Sequence, residues 1–110
     1  MSEFVDYLHE VFIDFGPIRS RKMFGGHGIY HHDLMFGLVF DDELFLKTDK
    51  ENVALFEELD LEAFVFKAKD KLIKMSYYRA PEEIYDDSEL AQYWANTAFD
   101  AALRTNSKKK

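Results

Sequence analysis

Apolar and polar residues alternate in short blocks along residues 21–47. The apolar blocks lie at residues 29–30, 34–40 and 44–46. The polar pauses between them, His31-His32-Asp33 and Asp41-Asp42, have the length and composition of tight turns. This pattern predicts consecutive antiparallel strands joined by hairpin turns.

Further strands are predicted on both sides of this stretch. A strand over residues 18–24 precedes the hairpins, and the alternation of side chains places Arg19 and Arg21 on one of its faces. A second hairpin is predicted over residues 64–78, with a four-residue polar turn at 68–71.

Apolar residues recur at helical spacing near both ends of the chain. The stripe Phe4-Leu8-Phe12 follows Ser2, a candidate N-cap, and Gly16-Pro17 ends this first helix. The stripe Leu90-Trp94-Ala98-Ala101 predicts a longer helix near the C-terminus. We expect both stripes to cover the same face of the sheet, which requires Trp94 to be largely buried.

Two shorter helices are predicted between these ends. Residues 48–51 have the S/T-x-x-E form of a capping box, before apolar residues Val53, Leu55, Phe56 and Leu59. Pro81 and the two acids after it favour a second helix start. The order of elements predicts an α+β fold, a two-layer sandwich with helices packed on one face of an antiparallel meander sheet. One domain is expected over residues 1–105, followed by a flexible lysine-rich tail at 106–110.

The composition is that of a globular domain with a substantial core. The chain has 110 residues, 47% of them hydrophobic and 16% aromatic, and it contains no cysteine. Disulfides and thiolate metal sites are therefore excluded. The N-terminal residues do not resemble a signal peptide, and no apolar run approaches the ~20 residues of a membrane helix. We therefore expect a cytoplasmic protein that does not enter the membrane.

The charge of the chain is unevenly distributed around a net value of −7. Residues 41–62 hold nine acids against two lysines, and residues 82–100 hold six acids and no base. Residues 67–79 reverse this sign, with five cations against Asp70. Because nonspecific affinity for DNA comes from phosphate neutralisation, we do not expect direct binding to duplex DNA.

The glycine-rich stretch from Gly25 to Gly28 predicts a bulge or bend in the backbone. It lacks the spacing of a phosphate-binding loop, so Gly25, Gly26 and Gly28 are predicted to be structural. The nearby His27, His31 and His32 are predicted to face solvent around a turn rather than to bind a metal. We therefore expect no catalytic, cofactor-binding or metal-binding residues. An enzyme or small-ligand binder that uses this bend and the edge at 77–79 stays as an alternative.

The second hairpin interleaves lysines with aromatic residues. Its candidate interaction surface comprises Tyr77, Tyr78, Arg79, Lys69 and Lys71. Period-2 alternation favours aromatic residues that face the core and lysines that face water, with Tyr78 and Arg79 exposed. Single-stranded nucleic acid held by stacking beside the lysines is the alternative.

Two motifs of the chain resemble a known family. The first is Met23-Phe24-Gly25-Gly26, followed by Gly28, Ile29 and Tyr30, and the second is the run Ser-Tyr-Tyr-Arg-Ala-Pro-Glu-Glu at residues 76–83. In this order and separation they resemble the N-terminal domain of the TfoX (Sxy) family of bacterial competence regulators. The resemblance covers nearly the whole chain, whereas full-length regulators carry a further, C-terminal domain.

The resemblance implies a cytoplasmic bacterial protein of two-layer fold that takes part in competence gene expression. Regulators of this family are thought to act as coactivators with the cyclic-AMP receptor protein, and no catalytic residues are established for them. The expected function is therefore a non-enzymatic interaction domain that modulates transcription through protein contacts. A homodimer is left open.

Overall fold

Within residues 3–23 and 25–108, which a computed structural model of the chain describes, there are three α-helices, one 3-10 helix and six strands. The helices are α1 (Glu3–Val11), α2 (Val53–Glu57) and α3 (Ser88–Lys108), and the 3-10 helix spans Glu82–Tyr85. The strands are β1 (Arg19–Met23), β2 (Gly26–His31), β3 (Leu34–Phe40), β4 (Glu43–Lys47), β5 (Ala63–Ala68) and β6 (Lys71–Arg79). They form one sheet in the order β1-β2-β3-β4-β6-β5, with all neighbours antiparallel, which confirms the predicted α+β fold.

Two-residue turns join the strands at the two polar pauses. His32 and Asp33 have φ angles of 50° and 62°, and Asp41 and Asp42 have φ angles of 53° and 58°. Positive φ at both central residues defines the type I′ turn, and Asp and His tolerate it better than most residues. The hairpins predicted at these pauses are confirmed. The hairpin predicted over residues 64–78 turns at Lys69-Asp70, so its turn is two residues shorter than predicted.

Helices α1 and α3 pack on one face of the sheet, which we call the helix-covered face. Leu8 and Phe12 follow the predicted stripe of the first helix, and Trp94 and Ala98 belong to the stripe of the last. All four lie in one core cluster with the strand residues Ile29, Phe36, Leu44 and Leu46. The prediction that both stripes cover the same face is therefore confirmed, and Trp94 is buried, with 8% of its surface exposed.

The buried line of α3 consists mainly of alanines. Its buried residues are Ala91, Trp94, Ala95, Ala98, Ala101 and Ala102, whereas Leu90 of the predicted stripe is 38% exposed. Side chains this small let the helix backbone approach the sheet. Trp94 fills the remaining space against Phe56, with ring centroids 4.9 Å apart. The helix continues to Lys108, past the predicted start of the tail at Asn106.

The opposite face of the sheet carries a second apolar cluster, and we call this side the open face. Its buried members are Leu38, Phe45, Phe64 and Tyr77, and its partly buried members are Met23, Met35, Phe40, Phe66 and Met75. Every one of these residues belongs to a strand, so no helix of the described ranges contributes to the cluster. The sheet is therefore apolar on both of its faces.

The loop between β4 and α2 is held by Asp49 rather than by Thr48. Asp49 Oδ1 accepts the backbone N–H groups of Glu51 at 3.0 Å and Asn52 at 3.2 Å. The predicted capping box at residues 48–51 is wrong, because Thr48 lies buried at the end of β4. The helix also ends before Leu59, which is exposed rather than part of its apolar side.

Arg104, in the last turns of α3, ties that helix to the same loop. Its Nε donates to Asp49 Oδ2 at 2.6 Å, and its Nη2 donates to Asp49 Oδ1 at 3.0 Å. This hydrogen-bonded guanidinium lowers the pKa of Asp49 to about 2. The buried Asn52 adds a second link, because its Nδ2 donates to the carbonyl oxygens of Lys47 and Thr97, both at 3.1 Å.

His31 is enclosed by aromatic side chains, so the prediction that it faces solvent is wrong. Its ring centroid lies 4.4 Å from that of Phe15 and 5.0 Å from that of Phe99. Its Nδ1 donates to the carbonyl oxygen of Pro17 at 2.7 Å, since a carbonyl oxygen can only accept. His31 ends β2 instead of joining the turn, and only His32 is exposed there as predicted.

The first helix begins at Glu3 and ends at Val11, before the predicted stop at Gly16. Ser2, the predicted N-cap, lies outside the described residues. None of the helices in the described ranges has the length and apolar character needed to cross a lipid bilayer.

Replacing Trp94 by alanine is expected to lower the free energy of unfolding by about 3–5 kcal/mol, because it removes a buried indole and leaves a cavity. Urea denaturation followed by circular dichroism measures the change. The control is Tyr93→Ala on the same helix turn, where the ring is 49% exposed and the loss should stay below about 1 kcal/mol. Equal losses in the two variants would contradict the packing described here.

Asp49→Asn is expected to lower stability at pH 7 by about 1–3 kcal/mol, because asparagine can keep the loop hydrogen bonds but loses the charged pair with Arg104. The folded protein holds the pKa of Asp49 at about 2, below the ordinary 3.8, so the unfolded chain binds more protons in this range. The stabilisation is full above about pH 5 and is lost as the pH falls towards about 2. Urea titrations of wild type and variant should therefore converge below about pH 5.

The control for this experiment is Asp33→Asn, which removes the highly exposed pair between Arg19 and Asp33. Asparagine suits the type I′ turn, so its stability at pH 7 should change by less than about 0.5 kcal/mol. A difference between wild type and Asp49→Asn that stays constant from pH 7 to 3 would refute the role of the ionised Asp49.

Candidate interaction surface

A tight turn at Gly25 joins β1 to β2 at the predicted glycine-rich bend. Gly25 has a φ of 78°, which glycine adopts without strain. Gly26 pairs with Met23 across the hairpin, and a Cβ at Gly26 would collide with the carbonyl oxygen of Val39. Phe24, which belongs to the same sequence motif, lies outside the described residues.

Gly28 and Tyr30 follow on β2 and lie on the open face. A Cβ at Gly28 would come within 2.8 Å of the Met23 sulfur and 3.0 Å of the Met35 sulfur. The half-buried Tyr30 has the Arg21 Cζ 5.9 Å from its ring centroid. These contacts support a structural role for Gly26 and Gly28, because a side chain at either position would collide with the neighbouring strand or with the methionines.

The bend does not offer a site for phosphate. A cavity of about 260 Å³ beside it is lined by Gly25, Gly26, His27, Val39, Asp41 and Asp42. The two carboxylates there would repel an anion, and β2 rather than a helix follows the bend. No group of three or more His, Asp or Glu side chains suited to a metal ion occurs within residues 3–23 and 25–108.

The residues Tyr77, Tyr78 and Arg79 point to different sides of the sheet. Tyr77 lies in the open-face cluster, where burial raises the pKa of its hydroxyl to about 12. Tyr78 lies in the helix-covered core, 5.9 Å from the ring centroid of Phe56. The expectation that Tyr78 is exposed is therefore wrong. Successive side chains of β6 point to opposite faces of the sheet, and Tyr78 points to the face that α2 covers. Arg79 is half exposed, as expected, and forms an ion pair with Glu43 on the open face.

Lys69 and Lys71 lie at the far end of a two-stranded arm. Strand β4 pairs with β6 only at residues 77–79, so residues 65–75, which we call the hairpin arm, extend beyond β4. Both lysines are exposed on the arm, and so are the apolar Val65, Leu72 and Ile73. At ~3.3 Å per residue, Lys71 lies about 20 Å from Tyr77 along the strand. The predicted surface is therefore spread along β6 rather than gathered at one point.

The bend and the edge at 77–79 do not converge on a common pocket. Strands β3 and β4 separate β2 from β6, a distance of about 14 Å at ~4.8 Å per strand. The alternative of an enzyme or ligand binder built from both segments therefore lacks the close approach of groups that chemistry requires.

Two residue patterns on the open face were missed by reasoning from the sequence. Arg19 and Arg21 were placed on one face of β1, but their position beside Tyr30 depends on the pairing with β2. Lys47 lies opposite Tyr77, and its Nζ is 5.2 Å from the centroid of that ring. Alternation along β4 places Lys47 beside Phe45, and that alternation is the signal that could have identified this face.

The fold and these motifs agree with the comparison to known proteins. The model of the TfoX N-terminal domain family matches residues 10–102. The chain belongs to the TfoX N-terminal domain family. Both motifs that carried the resemblance lie within the matched range, which confirms the family expected from the sequence.

The chain is similar to two curated proteins. The chain is 35% identical to DNA transformation protein TfoX1 of Aliivibrio fischeri over 82 residues, which cover 71% of this chain and 39% of the relative. It is 24% identical to protein Sxy of Escherichia coli over 92 residues, which cover 84% of this chain and 44% of the relative. The chain therefore matches less than half the length of these two proteins.

Gly26→Ala is expected to lower the free energy of unfolding by about 2 kcal/mol or more, because the added methyl group collides with the backbone of β3. Gly28→Ala is the matched control, since the added group meets the flexible ends of two methionines and the edge of the Tyr30 ring at 3.1 Å, but no backbone atom. Its cost should therefore be smaller, about 1 kcal/mol. Thermal and urea denaturation compare the two. A Gly26→Ala protein of unchanged stability that no longer binds its partners would show that the glycine serves binding instead.

Proposed function

We propose that this domain is a non-enzymatic regulatory module of the cytoplasm that modulates transcription through contacts with other proteins. The observation that carries the proposal is membership of the TfoX N-terminal domain family, whose member in Aliivibrio fischeri is named a DNA transformation protein. The transcription of genes for DNA uptake is therefore the process in which we expect this domain to act.

The surface of the domain supports protein contacts over catalysis. The bend is lined by carboxylates, and the tyrosines of the second motif are buried on opposite faces of the sheet. By contrast, apolar side chains are exposed on the hairpin arm, at Val65, Leu72 and Ile73. Exposed apolar side chains next to charged ones are typical of surfaces that bind another protein.

The partners that we propose are the cyclic-AMP receptor protein and RNA polymerase, the components with which a coactivator of this family would act. The distribution of charge favours a role through such proteins over a role on DNA alone. The excess of acids in residues 41–62 and 82–100 opposes the approach of a phosphate backbone.

Expression of the whole chain in its native bacterium, in a strain that lacks its own copy, is the test. Transcripts of DNA-uptake genes should rise with the wild-type chain and with Asp33→Asn, the variant expected to fold normally. They should not rise with Trp94→Ala, which is expected to be destabilised. Transcripts that stay unchanged while the wild-type chain accumulates in folded form would refute the proposal.

A titration of duplex DNA distinguishes the alternative of direct binding through the hairpin arm. Five cations at residues 67–79 could neutralise about five phosphates, so we expect binding weaker than about 0.1 mM at 150 mM salt. Fluorescence anisotropy with labelled duplex measures it. Micromolar affinity that disappears in Lys69→Glu and Lys71→Glu would favour direct binding over the coactivator role.

A further inference from the structure

The open face has a buried apolar centre, which we call the apolar floor, surrounded by flexible methionine side chains. Its buried centre is Leu38, Phe45, Phe64 and Tyr77, and the partly buried methionines 23, 35 and 75 lie around it. Methionine has a flexible and polarisable side chain, which suits a surface that repacks around large apolar groups of a partner. The floor therefore fits apolar side chains better than it fits polar ones.

The charges on this face oppose the charge of the rest of the chain. The described strands place the cations Arg19, Arg21, Lys47, Lys71 and Arg79 on the open face. Glu43 is the one acid that the described strands place there, although the chain as a whole carries −7. An apolar floor bordered by cations is complementary to a segment that carries both apolar and acidic side chains.

Two of these cations are open to a partner. Arg19 and Arg79 form ion pairs with Asp33 and Glu43, whereas Arg21 and Lys71 form none with the described residues. Arg21 lies on β1 and Lys71 on β6, near opposite edges of the sheet. Arg21 is in register with Arg79 across the sheet, and Lys71 lies further along β6 on the hairpin arm. A partner segment that runs obliquely over the strands, from Arg21 towards the arm, could therefore pair carboxylates with both.

The aromatic rings of this face are poorly placed to stack on bases. Tyr77 is buried, with Lys47 over its ring at 5.2 Å, and Arg21 lies near the ring of Tyr30 at 5.9 Å. Stacking of single-stranded nucleic acid needs exposed ring faces. A second copy also fits poorly, because a two-fold contact between open faces would bring like charges together.

We infer that the open face is the docking site for a segment of a partner protein in which acidic and large apolar side chains alternate. The apolar side chains contact the floor around Phe45 and the methionines, and the carboxylates pair with Arg21 and Lys71. The inference rests on the proposed function, since that function requires a contact with another protein.

Fluorescence anisotropy with the whole chain tests this assignment. The probe is a fluorescein-labelled 16-residue peptide of alternating glutamate and leucine or phenylalanine. Two control peptides replace glutamate by lysine, or the apolar residues by serine. At 150 mM salt the acidic apolar peptide should bind at least about tenfold more tightly than either control.

Arg21→Glu and Lys22→Glu form a matched pair of variants. Both side chains are exposed on β1, but alternation places Arg21 on the open face and Lys22 on the other. Arg21→Glu should weaken binding of the probe by about tenfold or more, and Lys22→Glu by less than about twofold. Arg21→Gln, which removes the charge without reversing it, should lie between wild type and Arg21→Glu. Circular dichroism checks that each variant is folded.

Four results would overturn the inference. The first is an equal loss of affinity in Arg21→Glu and Lys22→Glu, and the second is equal binding of the three peptides. The third is tighter binding of a single-stranded thymidine oligonucleotide that Arg21→Glu abolishes. The fourth is a concentration-dependent dimer, measured by sedimentation, that Arg21→Glu dissociates.

The experiment separates this inference from the proposed function. If Arg21→Glu activates DNA-uptake transcripts as well as wild type does, the docking face is wrong and the regulatory role stands. If the wild-type chain activates none while the peptide binds as expected, the regulatory role is wrong and the binding face stands.

Discussion

A sheet that is apolar on both faces has to cover both, and the helices of this domain cover one. The helix-covered face receives α1 and α3, which enclose Leu8, Phe12 and Trp94 in the main core. The open face is covered by its own strand side chains, with Phe45 and Tyr77 packed among methionines and the stems of cations beside them. Because no helix of the described ranges covers the open face, some of its apolar side chains stay partly exposed.

The position of α3 determines which face is covered. Its alanine line allows close packing, but a line of small side chains is smooth and specifies the position of the helix along its axis poorly. Trp94 against Phe56 and the pair of Arg104 with Asp49 supply that specification at two points of the helix. The second point lies at the β4–α2 loop, so a contact of α3 also fixes the turn that ends β4.

Local patterns predicted the elements well and their surroundings less well. Hairpins at the Asp-rich pauses follow from turn chemistry that involves only neighbouring residues. Tyr78 was misplaced because a strand that is apolar on both faces gives no alternation from which to decide which side chain a helix covers. His31 was misplaced because β2 extends through it, and because the rings of Phe15 and Phe99 that enclose it come from distant parts of the sequence. The role of Asp49 in the β4–α2 loop was missed because its partner Arg104 is 55 residues away in sequence. The residues of the candidate surface were named from the sequence. Their division between the two faces of the sheet became clear only from the pairing of the strands.

The charges of the domain are distributed unevenly between the open face and the rest of its surface. Acids are concentrated on the helices and loops. Five strand cations lie on the open face, Arg19, Arg21, Lys47, Lys71 and Arg79, against Lys22, Lys67 and Lys74 on the other. Electrostatic attraction would then favour the approach of the proposed acidic partner to the open face over its approach to the helices. Since the Debye length is about 8 Å at physiological salt, this steering acts only over the last approach. Charge screened in this way contributes little affinity, so contact with the apolar floor would have to contribute most of it. A partner segment that carries only acidic side chains would therefore dissociate quickly.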